Sequence, residues 1–521
     1  MAAVFSSNIR PFLATMVLDA LRNVPPVAWS ATTAQAVGSK VSANGNIYAA
    51  TNNGTTGSVA PSHTSGTATD GSVTWLYIGA STVPGSIDAN FYAGVGDQIA
   101  WPNELSPPAS TAGPDSETFV LANLLTLFKL TSDNCRIGLA NHVWTSGTVY
   151  SPYDATTDAQ NYPTPFYAIV NSTNIYKCID NNKGAASTAA PSGTSTSYIN
   201  TSDGYVWKFM GQISNVDAIA FNTVGYVPVQ QIQSNDGSAQ WNTQQAAQSG
   251  SVSAFPSSGA LLVTNGGTFT TPVVSISGAG SGAAATAELS ASLVRRILVT
   301  NSGTGYSGET YAIVQETGLT GSGAGLASPL TITAGVVSYT GSVTPGSGYP
   351  GTSATVVIIG DGTGATATAT VASGLVTAFN IAAGGSGYTW AKAFIIPGTA
   401  GAVAKAIMAP HLGHGANIIT ELCANTIIVS TKVTSTIAPY VVDGGAFRQV
   451  SLLAGIKPDG ASGSGLANAS AYLGPIHPSY GSPGSLNKYL ANSGNLLYIN
   501  NVQAITHTNT QEELIKITLT F

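Results

Sequence analysis

The sequence predicts a mainly-β protein assembled from several small sheets, with few helices. Three observations predict it: a strand-and-turn unit that occurs twice, a Gly-Tyr motif that recurs three times, and a last segment of strictly alternating apolar residues.

The duplicated unit covers residues 46–79 and 174–211. The match runs Ile47/Ile175, Tyr48/Tyr176, Asn52-Asn53/Asn181-Asn182, Pro61/Pro191, Asp70-Gly71/Asp203-Gly204, Trp75/Trp207 and Gly79/Gly211. A β-branched or aromatic run, an Asp-Gly turn and an aromatic strand form the pattern of a hairpin. Alternation places Trp75 and Trp207 each on one face of its strand. Two uses of these aromatics are open. Tyr48, Trp75, Tyr176 and Trp207 can form hairpin core, or Tyr48 and Trp75 can stack on a sugar held by neighbouring Asn, Asp and Thr.

The second repeat fills residues 275–390. Its units end in Gly303-Thr304-Gly305-Tyr306, Gly346-Ser347-Gly348-Tyr349 and Gly385-Ser386-Gly387-Tyr388, each preceded by a Gly-Ala stretch and a β-branched strand. Periods near 40 residues with short strands indicate stacked units, each burying its apolar face on the next. The glycines supply turns with positive φ, and the tyrosines are expected to cap the seams between units. Two of these turns also match GxGxxG, but strand-like Tyr311-Ala312-Ile313-Val314 and Ala354-Thr355-Val356-Val357 follow where a dinucleotide site requires a helix.

Two helices are predicted near the beginning of the chain. Ile9, Phe12, Leu13, Met16, Val17, Ala20 and Leu21 recur at helical spacing with Pro11 in the first turn. Residues 116–129 carry Phe119, Ala122, Leu125 and Phe128 on one face. Residues 11–21 imitate a signal peptide, but Asp19 interrupts the run and no small-residue cleavage site follows. At the other end Ile515, Ile517, Leu519 and Phe521 alternate with Lys516, Thr518 and Thr520, a strand expected to pack into a sheet.

Only 8% of the residues are charged, against about 25% in ordinary globular chains, so the surface is neutral and rich in hydroxyl and amide groups. The net charge is −6, and no cationic cluster exceeds Arg295-Arg296, which disfavours nucleic acid as a partner. No apolar run reaches the roughly 18 to 20 residues that span a bilayer, so membrane insertion is not expected. Cys135, Cys178 and Cys423 are an odd number with no CxxC pair and are expected to be small buried hydrophobes of a chain made in a reducing cytoplasm. Walker A and GxSxG motifs are absent. His411 and His414 sit among glycines without a HExxH glutamate, which favours a structural loop over a metal site. Glu512-Glu513 precede the last strand and are expected to form surface or interface pairs rather than a glycosidase dyad. No catalytic residue, cofactor or metal is expected.

Five ordered blocks together carry a family resemblance: FYAGVGDQIAWPNE at residues 91–104; FKLTSDN ending at residue 134; WTSGTVYSPYD with FYAIVNSTNIYKCIDNN and DGYVWKFM; APHLGHGANIITELCAN at 409–425; and the closing LLYINNVQAITHTNTQEELIKITLTF. In these the chain resembles the baseplate wedge subunit of T-even-like contractile-tailed phages, the gene-product-eight family. The resemblance implies a non-enzymatic structural protein of the virion tail. It implies a homodimer in each wedge, a β-sandwich core built from both ends of the chain, and other wedge proteins as neighbours. On that basis residues 1–25, 88–265 and 391–521 are expected to form the wedge-like core. Residues 26–87 are then an inserted β module and residues 266–390 a Gly/Tyr β-repeat insertion, both without counterpart in the family. The rival expectation is a tail-associated adsorption protein binding host-surface glycan through these insertions, with Tyr48 and Trp75 as contacts.

Overall fold

The computed structural model describes residues 10, 11, 14, 15, 18, 27–80, 91–96, 99–110, 120, 123–155, 157–255, 262–266, 268–433, 444–454, 495–508, 510 and 512–520. The fold is mainly β, as the sequence predicts, with many sheets and three α-helices of given extent among the described residues. The chain divides into two compact units. The first takes residues 1–141, 212–236 and 417–521, and the second residues 142–211 and 237–416. This division cuts across the boundaries expected above: the stretch 88–265 is shared between the units, and the Gly/Tyr repeats belong to the same unit as residues 142–211.

In the first unit, strands from opposite ends of the chain pair with one another. One antiparallel sheet runs Tyr226–Val229, Cys135–Ala140, Thr426–Val433, Glu513–Thr520. The other runs Asn495–Thr506, Ala446–Ala454, Phe91–Gly96, Leu124–Lys129. The closing strand is paired along its length, from Val433↔Glu513 to Thr426↔Thr520, and buries Ile515 and Ile517 as its alternation predicts.

The helix expected over residues 116–129 is corrected by this second sheet. Val120 is helical, but Leu124–Lys129 is a strand, with Ala93 opposite Phe128 and Val95 opposite Thr126. Leu124-Leu125-Thr126-Leu127-Phe128 satisfies either period, and pairing with a neighbour decides for the strand. Residues 111–119, 121 and 122, including Phe119 and Ala122, lie outside the described residues. In the first expected helix Arg10, Pro11, Ala14, Thr15 and Leu18 are helical, and the Thr15 hydroxyl donates to Pro11 O at 2.8 Å. Ile9, Phe12, Leu13, Met16, Val17, Ala20 and Leu21 fall outside the described residues.

The duplicated unit is one sheet made twice. The first copy orders its strands Lys40–Ala43, Asn46–Ala50, Val73–Ala80, Thr67–Asp70, with Val27–Ala28 added beside Lys40–Ala43. The second orders them Tyr167–Val170, Asn174–Asp180, Val206–Gln212, Ile199–Asn200. The Asp-Gly turns stand where predicted, with Gly71 and Gly204 at φ +62° and +84°.

The Gly-Tyr body consists of three long hairpins and a fourth unit that lacks the Gly-Tyr motif. The hairpins pair Ser281–Ser290 with Leu293–Thr304, Ser322–Leu326 with Val343–Ser347, and Thr363–Ala372 with Leu375–Ser386. Each tyrosine lies over the glycine that opens its own hairpin: a Cβ on Gly280, Gly321 or Gly362 would come within 2.5, 2.9 or 2.4 Å of Tyr306, Tyr349 or Tyr388. The Tyr306 and Tyr388 rings thus lock single hairpins, whereas Tyr349 also caps a seam, its hydroxyl donating to Ile395 O at 3.3 Å, and the backbone adds further seam contacts. Tyr388 N donates to Gly335 O at the tip of the second hairpin, and Tyr349 N donates to Gly374 O at the tip of the third, both at 3.1 Å. Unit stacking is visible in one cluster where Tyr339 and Val343 of the second hairpin meet Val371 and Phe379 of the third.

In the fourth unit Phe269 takes the tyrosine's place. It is buried, follows Thr264-Asn265-Gly266-Gly267-Thr268, and its N–H donates to Ser292 O at the tip of the first hairpin at 2.7 Å. Its two strands come from the two ends of the module, Leu262–Gly266 pairing with Ala400–Lys405. Two four-stranded sheets result. One is Leu262–Gly266, Ala400–Lys405, Tyr311–Glu316, Pro272–Ser277, and the other is Leu375–Ser386, Thr363–Ala372, Ser353–Gly360, Ala391–Ile396. Tyr311 and Val403 from the first meet Val357, Ile359 and Ile396 from the second in a shared core. Strands follow both GxGxxG turns, as expected of repeat turns.

Candidate functional site

The aromatics of the duplicated unit are core. Tyr48, Trp75, Tyr176 and Trp207 have no exposed surface. The expectation that Tyr48 and Trp75 contact a glycan is therefore corrected: a ring with no accessible face has nothing to stack with. Their polar tips are used internally, and alike in the two copies. Asn46 Nδ2 donates to Tyr48 Oη, which donates to His63 O, two residues beyond Pro61. Asn174 Nδ2 donates to Tyr176 Oη, which donates to Gly193 O, two residues beyond Pro191. Trp29 and Trp144, ahead of the matched segments, occupy corresponding roles. Trp29 Nε1 donates to Asp70, and Trp144 Nε1 donates to Ser187 Oγ, which donates to Asp203.

In the second unit, a cleft of about 550 Å³ opens between the second copy and the first Gly-Tyr hairpin. One wall is the segment 196–200, and the other the hairpin residues 298–302 with Thr286. Gln248 and Ser251 contribute after the helix Ala239–Ala246, and Lys208 and His414 complete the lining. The hydroxyl of Tyr198 donates to Val252 O at 3.2 Å and accepts from Ser302 Oγ at 3.3 Å, which ties the walls together.

His414 is brought here by the HLGHG loop, whose glycines are dictated by the fold. Gly413 and Gly415 have φ of +97° and +89°, and a Cβ on Gly413 would lie 2.3 Å from Gln248 N. His414 Nε2 is 2.8 Å from Ser253 Oγ, and the ring meets Tyr153 and Tyr198 edge-on. Burial, then the nearby Lys177 and Lys208, hold its pKa well below the ordinary value, so the imidazole is neutral at physiological pH. Its Nδ1 is buried without a partner. Lys177 sits 4.0 Å over the Tyr153 ring, and Lys208 Nζ donates to Thr196 O. Burial raises the Tyr198 phenol to about 12, so it remains an un-ionised hydroxyl.

The loop reading of His411 and His414 thus fits the structure, His414 being a buried hydrogen-bonding residue. Of the Glu512-Glu513 pair, Glu512 makes the surface pairing expected, whereas Glu513 turns inward to a buried histidine. Glu512 meets Lys432 at 2.9 Å and Glu513 meets His507 Nδ1 at 2.6 Å. Cys135 and Cys178 are buried and Cys423 is half-buried, none of them in a disulfide among the described residues. No helix among the described residues is long and apolar enough to cross a membrane. Sequence reasoning singled out His414 but missed Tyr198, Lys208, Thr300 and Asn301, because segments remote in sequence build the walls.

Neither a scan against protein-family models nor a search of curated proteins finds a match to this chain.

Proposed function

We propose that the chain is a structural component of a contractile phage tail baseplate, a wedge subunit that works through protein–protein interfaces. The observation that carries this reading is where the resemblance-bearing segments meet. The FYAGVG strand, Phe91–Gly96, lies in one sheet with Leu124–Lys129 and with the closing block's Asn495–Thr506. Trp101 of the same block donates its Nε1 to Val502 O at 2.9 Å. In the other unit Tyr153, Lys177 and His414, from three further segments, form one buried group. Segments scattered along the chain thus share sheets and contacts, the arrangement that an ancestral core interrupted by added modules would have.

In this reading the two four-stranded sheets of the first unit form the β-sandwich core, the working unit is a homodimer, and other wedge proteins cover its remaining faces in the virion. No catalytic residue and no cofactor take part. A chain so poor in charge suits permanent neighbours, because few ions need be desolvated on association. The helix Asn215–Phe221 adds an apolar face: Phe221 and Asp217 turn inward, while Val216 and Ile219 are 77% and 76% exposed and the nearby Val224 is 100% exposed. Stable interfaces bury about 1,200 to 2,000 Å² with an apolar centre.

The test is a cryo-EM reconstruction of the assembled tail. Paired copies in a sixfold ring of wedges are expected, and density at a fibre or spike tip would overturn the reading. In solution a dimeric mass is expected at micromolar concentration, and a strictly monomeric mass would count against the homodimer.

A further inference from the structure

We infer that the cleft of the second unit is a binding site for an uncharged oligosaccharide, an assignment independent of the baseplate reading. Its volume, about 550 Å³, suits one or a few sugar rings. The chemistry of the walls selects the ligand. Thr196, Asn200, Thr300 and Asn301 are exposed along the two sides. Hydroxyl and amide groups each donate and accept, as every hydroxyl of a sugar does. Asn301 Oδ1 already accepts from Gly303 N at 3.0 Å, which leaves its NH2 to donate to a ligand.

Tyr198 spends its hydroxyl on Val252 and Ser302 and so offers its half-buried ring, the surface on which the C–H face of a sugar packs. His414, neutral and hydrogen-bonded through Nε2 to Ser253 Oγ, adds an uncharged patch to the lining. Other ligand classes fit less well. Lys208 is the only formally charged side chain in the lining, and it is engaged with Thr196 O, so a polyanionic strand would find no row of cations. The aliphatic part, chiefly Leu298 and Val299, is too small for an apolar ligand.

The experiment uses the full chain on an array of bacterial capsular and lipopolysaccharide O-chain oligosaccharides, with Thr300→Trp to fill the cleft. Thr377→Trp, at an exposed position on the third hairpin, is the control. The expected result is retention of at least one uncharged oligosaccharide by the wild type, at least tenfold weaker binding by Thr300→Trp, and unchanged binding by Thr377→Trp, with equal melting temperatures throughout. The inference is overturned if the folded wild type retains no oligosaccharide or if Thr300→Trp binds as the wild type does. Placement of the chain in the virion tests the baseplate reading and is unaffected by the array, so the two can fail separately.

Discussion

Trp75 and Trp207 occupy the same place in two copies of one unit, yet their indole nitrogens fare differently. Trp75 Nε1 donates to Asp70 Oδ2 at 3.3 Å, whereas Trp207 Nε1 is buried without a partner. Replacing either residue by Ala should cost about 3 to 5 kcal/mol, the usual loss for a large core aromatic. Replacement by Phe should separate them. Trp75→Phe removes a satisfied donor, while Trp207→Phe removes one that gains nothing, so the first should be more destabilising by about 1 kcal/mol in denaturant unfolding. Equal costs, or the reverse order, would refute the assignment.

Asp203 gives a prediction in pH. Burial alone would raise its pKa, but hydrogen bonds from Thr201, Ala189, Thr188 and Tyr205 outweigh that and bring it to about 2. A carboxylate depressed in the folded state contributes stability that is complete above its unfolded value near 3.8 and is lost as pH falls toward 2. Asp203→Asn should therefore flatten the decline of melting temperature over that window. A variant with the same acid limb as the wild type would show that the bonds are not formed.

Among the elements, the closing strand and the Gly-Tyr hairpins make the clearest claims. Deleting residues 518–521 removes the register from Thr426↔Thr520 to Ile428↔Thr518 and should lower the melting temperature, and an unchanged value would refute the pairing. Gly362→Ala would press its Cβ to 2.4 Å from the Tyr388 ring and should destabilise by about 1 to 3 kcal/mol, the usual penalty for overpacking. Gly308→Ala, with nothing within 4 Å of its Cβ, is the matched control.

How far the elements could be foreseen follows from how local their causes are. The faces of Trp75, Trp207, Ile515 and Ile517 follow from alternation within one strand, so the sequence discloses them. Leu124–Lys129 was not legible as a strand, because its apolar run fits two periods and Phe91–Gly96 decides between them. Phe269 hid the fourth unit by replacing a tyrosine, and the cleft stayed hidden because no one segment contains more than a fraction of its lining.

At the scale of the molecule, both units are built from chain segments far apart in sequence. The first joins Cys135–Ala140 to Thr426–Val433 and Glu513–Thr520. In the second, the Gly-Tyr module is closed by its own first strand, Leu262 standing opposite Ala404 and Gly266 opposite Ala400.

That closure has a consequence in time. As the chain leaves the ribosome, Leu262–Gly266 emerges first yet has no partner until Lys405 has been made, whereas each hairpin finds its other half at once. Loop entropy delays the distant pair further. In pulsed hydrogen exchange during refolding, the amides of Leu262–Gly266 and Ala400–Lys405 should gain protection together, and later than those of Ser281–Thr304 and Thr363–Ser386. Until that last step the module presents an open sheet edge, the form in which two newly made copies could trade first strands and emerge as an interlocked pair.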